Sequence, residues 1–196
     1  PTSVVHPAVT LRALARTGRI LVVDEAFADC VPGEPESLAG VRDVPGVLVV
    51  RSLTKTFGLA GLRVGYVLGD AELIAQLARV QPRWAVSAPA LEAAVACSGT
   101  DALSDAAAWA SRLSSARAFL IDRLSAIPGV DVVPEAAASF VLVRTPASAV
   151  WIDLATRGFA VRRGDTFPGL GAEWIRVAVR DQSISAAFAD ALEECL

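Results

Sequence analysis

Histidine, lysine and cysteine are scarce in this 196-residue chain, and each scarcity removes a class of chemistry. The one histidine, His6, stands in a turn before Pro7, which leaves too few ligands for a zinc site and no histidine-based triad. Cys30, Cys97 and Cys195 are an odd number in scattered places, so neither a disulfide framework nor a metal-binding spacing is visible. Positive charge is not in excess: the formal net charge is −3, which argues against a basic face for nucleic acid. No apolar run approaches the roughly 18 residues of a membrane span, and no charged-then-apolar signal segment opens the sequence. A soluble, cytoplasmic protein with no nucleic-acid and no membrane partner is expected. What is present is apolar. Hydrophobic residues make up 54% and charged residues 20%, enough for a sizeable core and too apolar for wholesale disorder. The length allows one domain, or a domain and part of another.

The lysine count is the most informative number. Of 18 basic side chains, Lys55 is the single lysine. The arginine and alanine bias points to genome composition, which converts surface lysines to arginine without physical penalty. Two readings of Lys55 stand: a leftover surface residue, or an amine that arginine cannot replace because a guanidinium stays protonated.

Short apolar runs alternate with helical periods, the pattern of an α/β fold. A helix is expected over 8–17, ended by Gly18. Strands are expected over 20–24 (ILVVD) and 47–51 (VLVVR), apolar throughout as parallel strands buried on both faces are. A third strand is expected over 63–68, and Asp70 then stands where a helix N-cap belongs. From 87 to 126 the period is helical, with a break at Ser98–Gly99–Thr100, and the piece from about 101 is long enough to bridge two domains. After Pro128–Gly129, VDVV, SFVLVR, FAVRRG and WIRVAVR read as short strands of antiparallel flavour, with helices at about 147–157 and 183–195. The boundary is placed inside the long helix, giving 1–112 and 113–196.

Chemistry-bearing residues gather at strand ends, where open α/β sheets bind ligands. Asp24 ends ILVVD, Ser52 to Lys55 follow VLVVR, and Arg63 opens the next strand in GLAGLRVGY. An acid, an amine and a guanidinium at one sheet edge suit pyridoxal phosphate: imine to the aldehyde, partner to the pyridine nitrogen, partner to the phosphate.

The run RSLTKTFGLAGLRVGY resembles the lysine-bearing segment of fold-type-I pyridoxal-phosphate enzymes, in the class I/II aminotransferase family. VVDEAFADC resembles the strand carrying that family's pyridinium-binding aspartate, and QPRWAVSAPALEAA and RRGDTFPGLGAEWIRVAVR resemble its later segments. The resemblance runs over essentially the whole chain. It implies pyridoxal 5'-phosphate as cofactor, with Lys55 and Asp24 catalytic, and Asp24, Phe27, Ser52, Lys55 and Arg63 contacting the cofactor. It also implies that Arg176 grips the substrate carboxylate, with Arg180 sharing that face of the strand; Arg163 is assigned to a substrate phosphate, although a solvated charged loop fits Arg162 and Arg163 equally well.

Two branches are close: L-threonine-O-3-phosphate decarboxylases, with a role in cobalamin synthesis, and histidinol-phosphate aminotransferases. Phe27 stands where the aminotransferases usually carry a tyrosine; with PGL followed by RVAVR, it favours the decarboxylase branch. The implied substrate is a small phosphorylated amino acid. Family subunits are considerably longer, so the resemblance casts this chain as the C-terminal portion of such an enzyme, part of the large mixed-sheet domain plus the small α/β domain. The N-terminal portion and a second subunit of a homodimer are then its partners. A non-catalytic interaction module is the competing reading.

Overall fold

The computed structural model describes residues 1–41 and 44–196. They form two compact units, His6–Ala110 and a second made of Ser111–Leu196 together with Pro1–Val5.

The first unit is built on three strands, β1 (Leu21–Asp24), β2 (Val47–Ser52) and β3 (Gly65–Gly69), in the order β1-β2-β3. β1 and β2 are parallel, with Leu21 beside Val47 and Asp24 beside Val50; β3 runs antiparallel to β2, with Ser52 opposite Gly65. The sheet is mixed. Val23, Leu38, Val47 and Val49 form a core on one side, packed by Ala8 and Leu11 of helix α1 (Ala8–Leu14). The other side is barer than the apolar pattern of β1 suggests: Val22 is 59% exposed. A second cluster joins Leu53 and Val64 to Ala90 and Cys97 of helix α3 (Ala88–Cys97). In chain order α2 (Ala71–Val80) lies between β3 and α3, and Asp70 caps it by accepting from the Glu72 amide at 2.9 Å.

Helix α4 (Thr100–Ser125) follows α3 after the expected break, and the division between the two units falls inside it. At about 1.5 Å per residue it is roughly 39 Å long.

The second unit has a four-stranded antiparallel sheet: β4 (Asp131–Val132), β5 (Phe140–Arg144), β6 (Arg162–Arg163) and β7 (Trp174–Ala178), ordered β4-β5-β7-β6. Val141, Val143 and Ile175 are fully buried, and helix α6 (Gln182–Glu193) adds Phe188, Ala189 and Leu192 to that core. The short helix α5 (Trp151–Thr156) lies between β5 and β6 in sequence.

Three elements differ from the sequence pattern. α1 stops at Leu14, because Ala15 turns extended and the Arg19 guanidinium caps the Leu14 carbonyl at 3.1 Å. The helix expected over 147–157 begins only at Trp151, since Ala149 adopts a left-handed φ of 59° and Thr145 Oγ1 donates to the Ala147 carbonyl at 2.8 Å. Likewise β3 starts at Gly65, not at Arg63, whose φ of 52° makes it a turn residue.

Candidate active site

β1 and β2 end side by side. Since Asp24 pairs with Val50, and Ser52 lies two residues on, Asp24, Val50 and Ser52 present on one face at the carboxyl edge. Asp24 is exposed, and its Oδ1 accepts from the Ala26 amide at 3.0 Å, which bends the chain out of the strand. Phe27 follows, and a single turn of 3-10 helix over Ala28–Cys30 closes the loop.

On β2 the exit is tighter. Ser52 Oγ lies 2.7 Å from Thr54 Oγ1 and accepts from the Thr54 amide at 3.2 Å, so the strand ends in a side-chain-locked turn. Leu53 and Thr54 are buried, which leaves Lys55 outward, with its Nζ 5.4 Å from the centroid of the Phe27 ring. Thr56 Oγ1 donates to Asp29 Oδ2, joining the two loops side chain to side chain. Arg63 donates to the Ala60 carbonyl at 3.0 Å from its left-handed backbone. Gly65, opposite Ser52, has no room for a Cβ against the Arg51 carbonyl.

The structure thus puts Lys55 against Phe27 and sets Asp24 and Ser52 on one edge and face. Arg63 sits in the turn that leads to the residue opposite Ser52. Among the described residues, none forms an ion pair with Asp24, Lys55 or Arg63. A carboxylate, an amine and a guanidinium without ion pairs among the described residues, with the Ser52 hydroxyl beside them, fit the pyridine nitrogen, aldehyde and phosphate of pyridoxal phosphate.

Behind this edge lies a charge network that sequence reasoning missed. Glu25, 7% exposed, accepts from Leu38 N (2.6 Å), Ser37 Oγ (2.6 Å) and Arg51 (3.0 Å). Arg51 also makes a two-pronged contact with Glu34, at 2.5 and 2.9 Å. The Glu34 bond raises the Arg51 pKa against the opposing effect of burial, so its charge is fixed. The sequence signal was slight: Arg51 directly after one apolar run, and Glu25 one place beyond the Asp24 that ends the other. Asp29 differs: burial pushes its carboxyl above the usual range although Thr56 and Arg51 pull it down, and its Oδ1 is buried with no hydrogen-bond partner.

In the second unit, Arg176 lies mid-strand on β7, with its guanidinium 4.4 Å from the Phe140 ring and 5.5 Å from that of Phe167. Register places Arg162 directly opposite, and Arg162 lies 5.4 Å from Phe167. Burial first, and then the Arg162 charge, lower the Arg176 pKa. Among the described residues no carboxylate forms an ion pair with either, so two like charges stand at opposite positions of β6 and β7.

Arg163 points elsewhere. It forms a two-pronged pair with Asp165 (3.0 and 2.6 Å) and stacks 4.3 Å from the Trp151 ring. So the arginine that register sets beside Arg176 is Arg162, not Arg163. Arg180 lies past the end of β7, exposed, with its carbonyl accepting from Ser185 Oγ at 3.3 Å.

Comparison with known proteins identifies the fold and the family. A histidinol-phosphate aminotransferase of Mycobacterium tuberculosis is 50% identical over 183 residues, 93% of this chain and 50% of that protein. The chain therefore spans about half the length of the curated relatives it matches. The crystal structure of a histidinol-phosphate aminotransferase from Clostridium acetobutylicum superposes with a TM-score of 0.87 at 25% identity, over all of this chain and 62% of that one. That of L-threonine-O-3-phosphate decarboxylase from Porphyromonas gingivalis shares the fold, with a TM-score of 0.78 at 23% identity over 88% of this chain and 54% of that one. The fold is the fold-type-I one, covered in part. With the family model for aminotransferase class I and II running from residue 1 to residue 192, the chain belongs to that pyridoxal-phosphate-dependent family.

Proposed function

We propose that the whole enzyme moves an amino group between a small phosphorylated amine of the histidinol-phosphate type and a 2-oxo acid. The observation that carries this reading is the 50% identity with a protein named for that reaction. The unneutralised Arg162–Arg176 pair supports it, since both half-reactions bring an anionic substrate. Bound pyridoxal phosphate supplies the electron sink that loosens bonds at the substrate's α-carbon. The chain's own residues do the rest. Lys55 holds the cofactor aldehyde through its amine and afterwards moves the α-carbon proton. Asp24 keeps the proton on the pyridine nitrogen, and Ser52 and Arg63 bind the phosphate. Arg176 and Arg162 hold substrate anions. Arg163, tied to Asp165, and exposed Arg180 are secondary candidates for that task.

A second reading rests on Phe27. Its ring faces Lys55 and offers no hydroxyl to the cofactor, and in this it resembles the branch that decarboxylates L-threonine-O-3-phosphate. The proposed partners are an N-terminal portion and a second subunit, a reading supported by exposed apolar residues such as Val22 and Trp84, the latter 94% exposed.

Borohydride reduction of the cofactor-loaded whole enzyme, followed by peptide mapping, should place a pyridoxyl group on Lys55. An unlabelled Lys55 leaves the interaction-module reading in its place. Lys55→Ala should lower turnover at least ~100-fold, and Lys55→Arg should not restore it. Turnover of histidinol phosphate with 2-oxoglutarate, against release of carbon dioxide from threonine phosphate, separates the two enzymes.

A further inference from the structure

We propose that Thr56 and Asp29 form a positioning pair whose hydrogen bond holds the Lys55 amine at the Phe27 ring, where it captures the cofactor aldehyde; this rests on the assignment of Lys55 made above. Lys55 cannot hold itself in place. Its side chain is long and exposed, and it has no ion pair among the described residues. Such a chain has large rotamer freedom, so its backbone must be fixed from both sides. On one side Leu53 and Thr54 are buried, and Thr54 is locked to Ser52. On the other side stands Thr56, whose hydroxyl donates to Asp29 Oδ2 across 27 positions of sequence.

The acceptor's location gives that bond its meaning. Asp29 belongs to the 3-10 turn that Phe27 opens, two residues beyond the ring that faces Lys55. A single hydrogen bond therefore ties the neighbour of the amine to the turn that carries the ring. A purely local turn could be closed by any exposed serine or asparagine. Here the acid is buried enough to push its proton affinity up, and its other oxygen has no partner. Keeping a carboxylate in such a place costs stability, which fits a group retained for geometry.

The test measures capture of pyridoxal phosphate at Lys55 in the whole enzyme, by borohydride reduction and peptide mapping, and acetylation of Lys55 by acetic anhydride in parallel. Thr56→Val keeps the shape and removes the donor; it should slow pyridoxyl capture about tenfold, the effect of losing a hydrogen bond to a charged group. Acetylation should stay within about twofold, because placement and not exposure has changed. Thr56→Ser restores the hydroxyl and should recover capture. Equal capture in the parent and Thr56→Val overturns the inference, as does a Thr56→Ser protein that behaves like the valine variant. Parallel loss of acetylation also overturns it, since the loop would then merely have come apart. No pyridoxyl group on Lys55 of the parent overturns the Lys55 assignment itself, and the pair falls with it.

Discussion

The two units bury their apolar residues to very different degrees, as one helix from each makes plain. α6 carries apolar residues on one face and buries Phe188, Ala189, Ala191 and Leu192 along it. α2 has the same kind of stripe, Leu73, Ile74, Leu77 and Val80, and buries none of its residues. The sheets repeat the contrast: Val141, Val143 and Ile175 are sealed in the second unit, while Val22 and Val67 stay open in the first. The unit bearing Lys55 is thus held in good part by something other than a closed apolar core. A largely buried guanidinium, Arg51, links Glu25 to Glu34 within it.

The largest expected effect is on that guanidinium. Arg51→Ala leaves Glu25 buried with only Ser37 and Leu38 as donors, and removing one partner of a buried ion pair costs about 3–5 kcal/mol. Chemical denaturation should show the loss in the first unit, together with loosening of the 34–38 segment in hydrogen exchange. A cost near that of a surface residue would mean that the first unit's apolar clusters suffice after all.

Next comes the helix comparison. Leu192→Ala, at a fully buried position of α6, should cost about 2–5 kcal/mol. Leu77→Ala, at a 43% exposed position of α2, should stay within about 0.5 kcal/mol in the chain as it stands. If the whole enzyme shows a larger loss for Leu77→Ala than the chain alone, the open face of α2 is covered there. Equal small losses in both would leave α2 a true surface helix.

Much of this was legible because local pattern carries it. Apolar runs marked β1, β2 and β5, Asp70 announced α2, and Ser98–Gly99 announced the gap between α3 and α4. The candidate edge also followed from local pattern, for Asp24, Ser52 and Lys55 stand next to apolar runs that had to be strands. What escaped is non-local. The Thr56–Asp29 bond and the Arg51–Glu34 pair join residues 27 and 17 positions apart, with no periodicity to reveal them. The choice between Arg162 and Arg163 is one of register: neighbours on a strand face opposite ways, and only the pairing with β7 shows which meets Arg176. The left-handed backbones at Arg63 and Ala149 shortened two expected elements, and neither residue type advertises that conformation.

The smallest effect sharpens the contrast from the other side. The second unit has ion pairs too, and Arg123–Asp190 joins α4 to α6 within it. Its side chains are 43% and 61% exposed, so water and salt screen the attraction, and the long arginine side chain loses freedom to make the contact. A double-mutant cycle with Arg123→Ala and Asp190→Ala should give a coupling of at most about 1 kcal/mol, fading as salt is raised. Arg51 and Glu25 in the same kind of cycle should couple more strongly and keep most of that coupling in salt, because both are largely out of water. If the exposed pair matched the buried one, charge would be holding both units alike, and the closed core of the second would not be what distinguishes them.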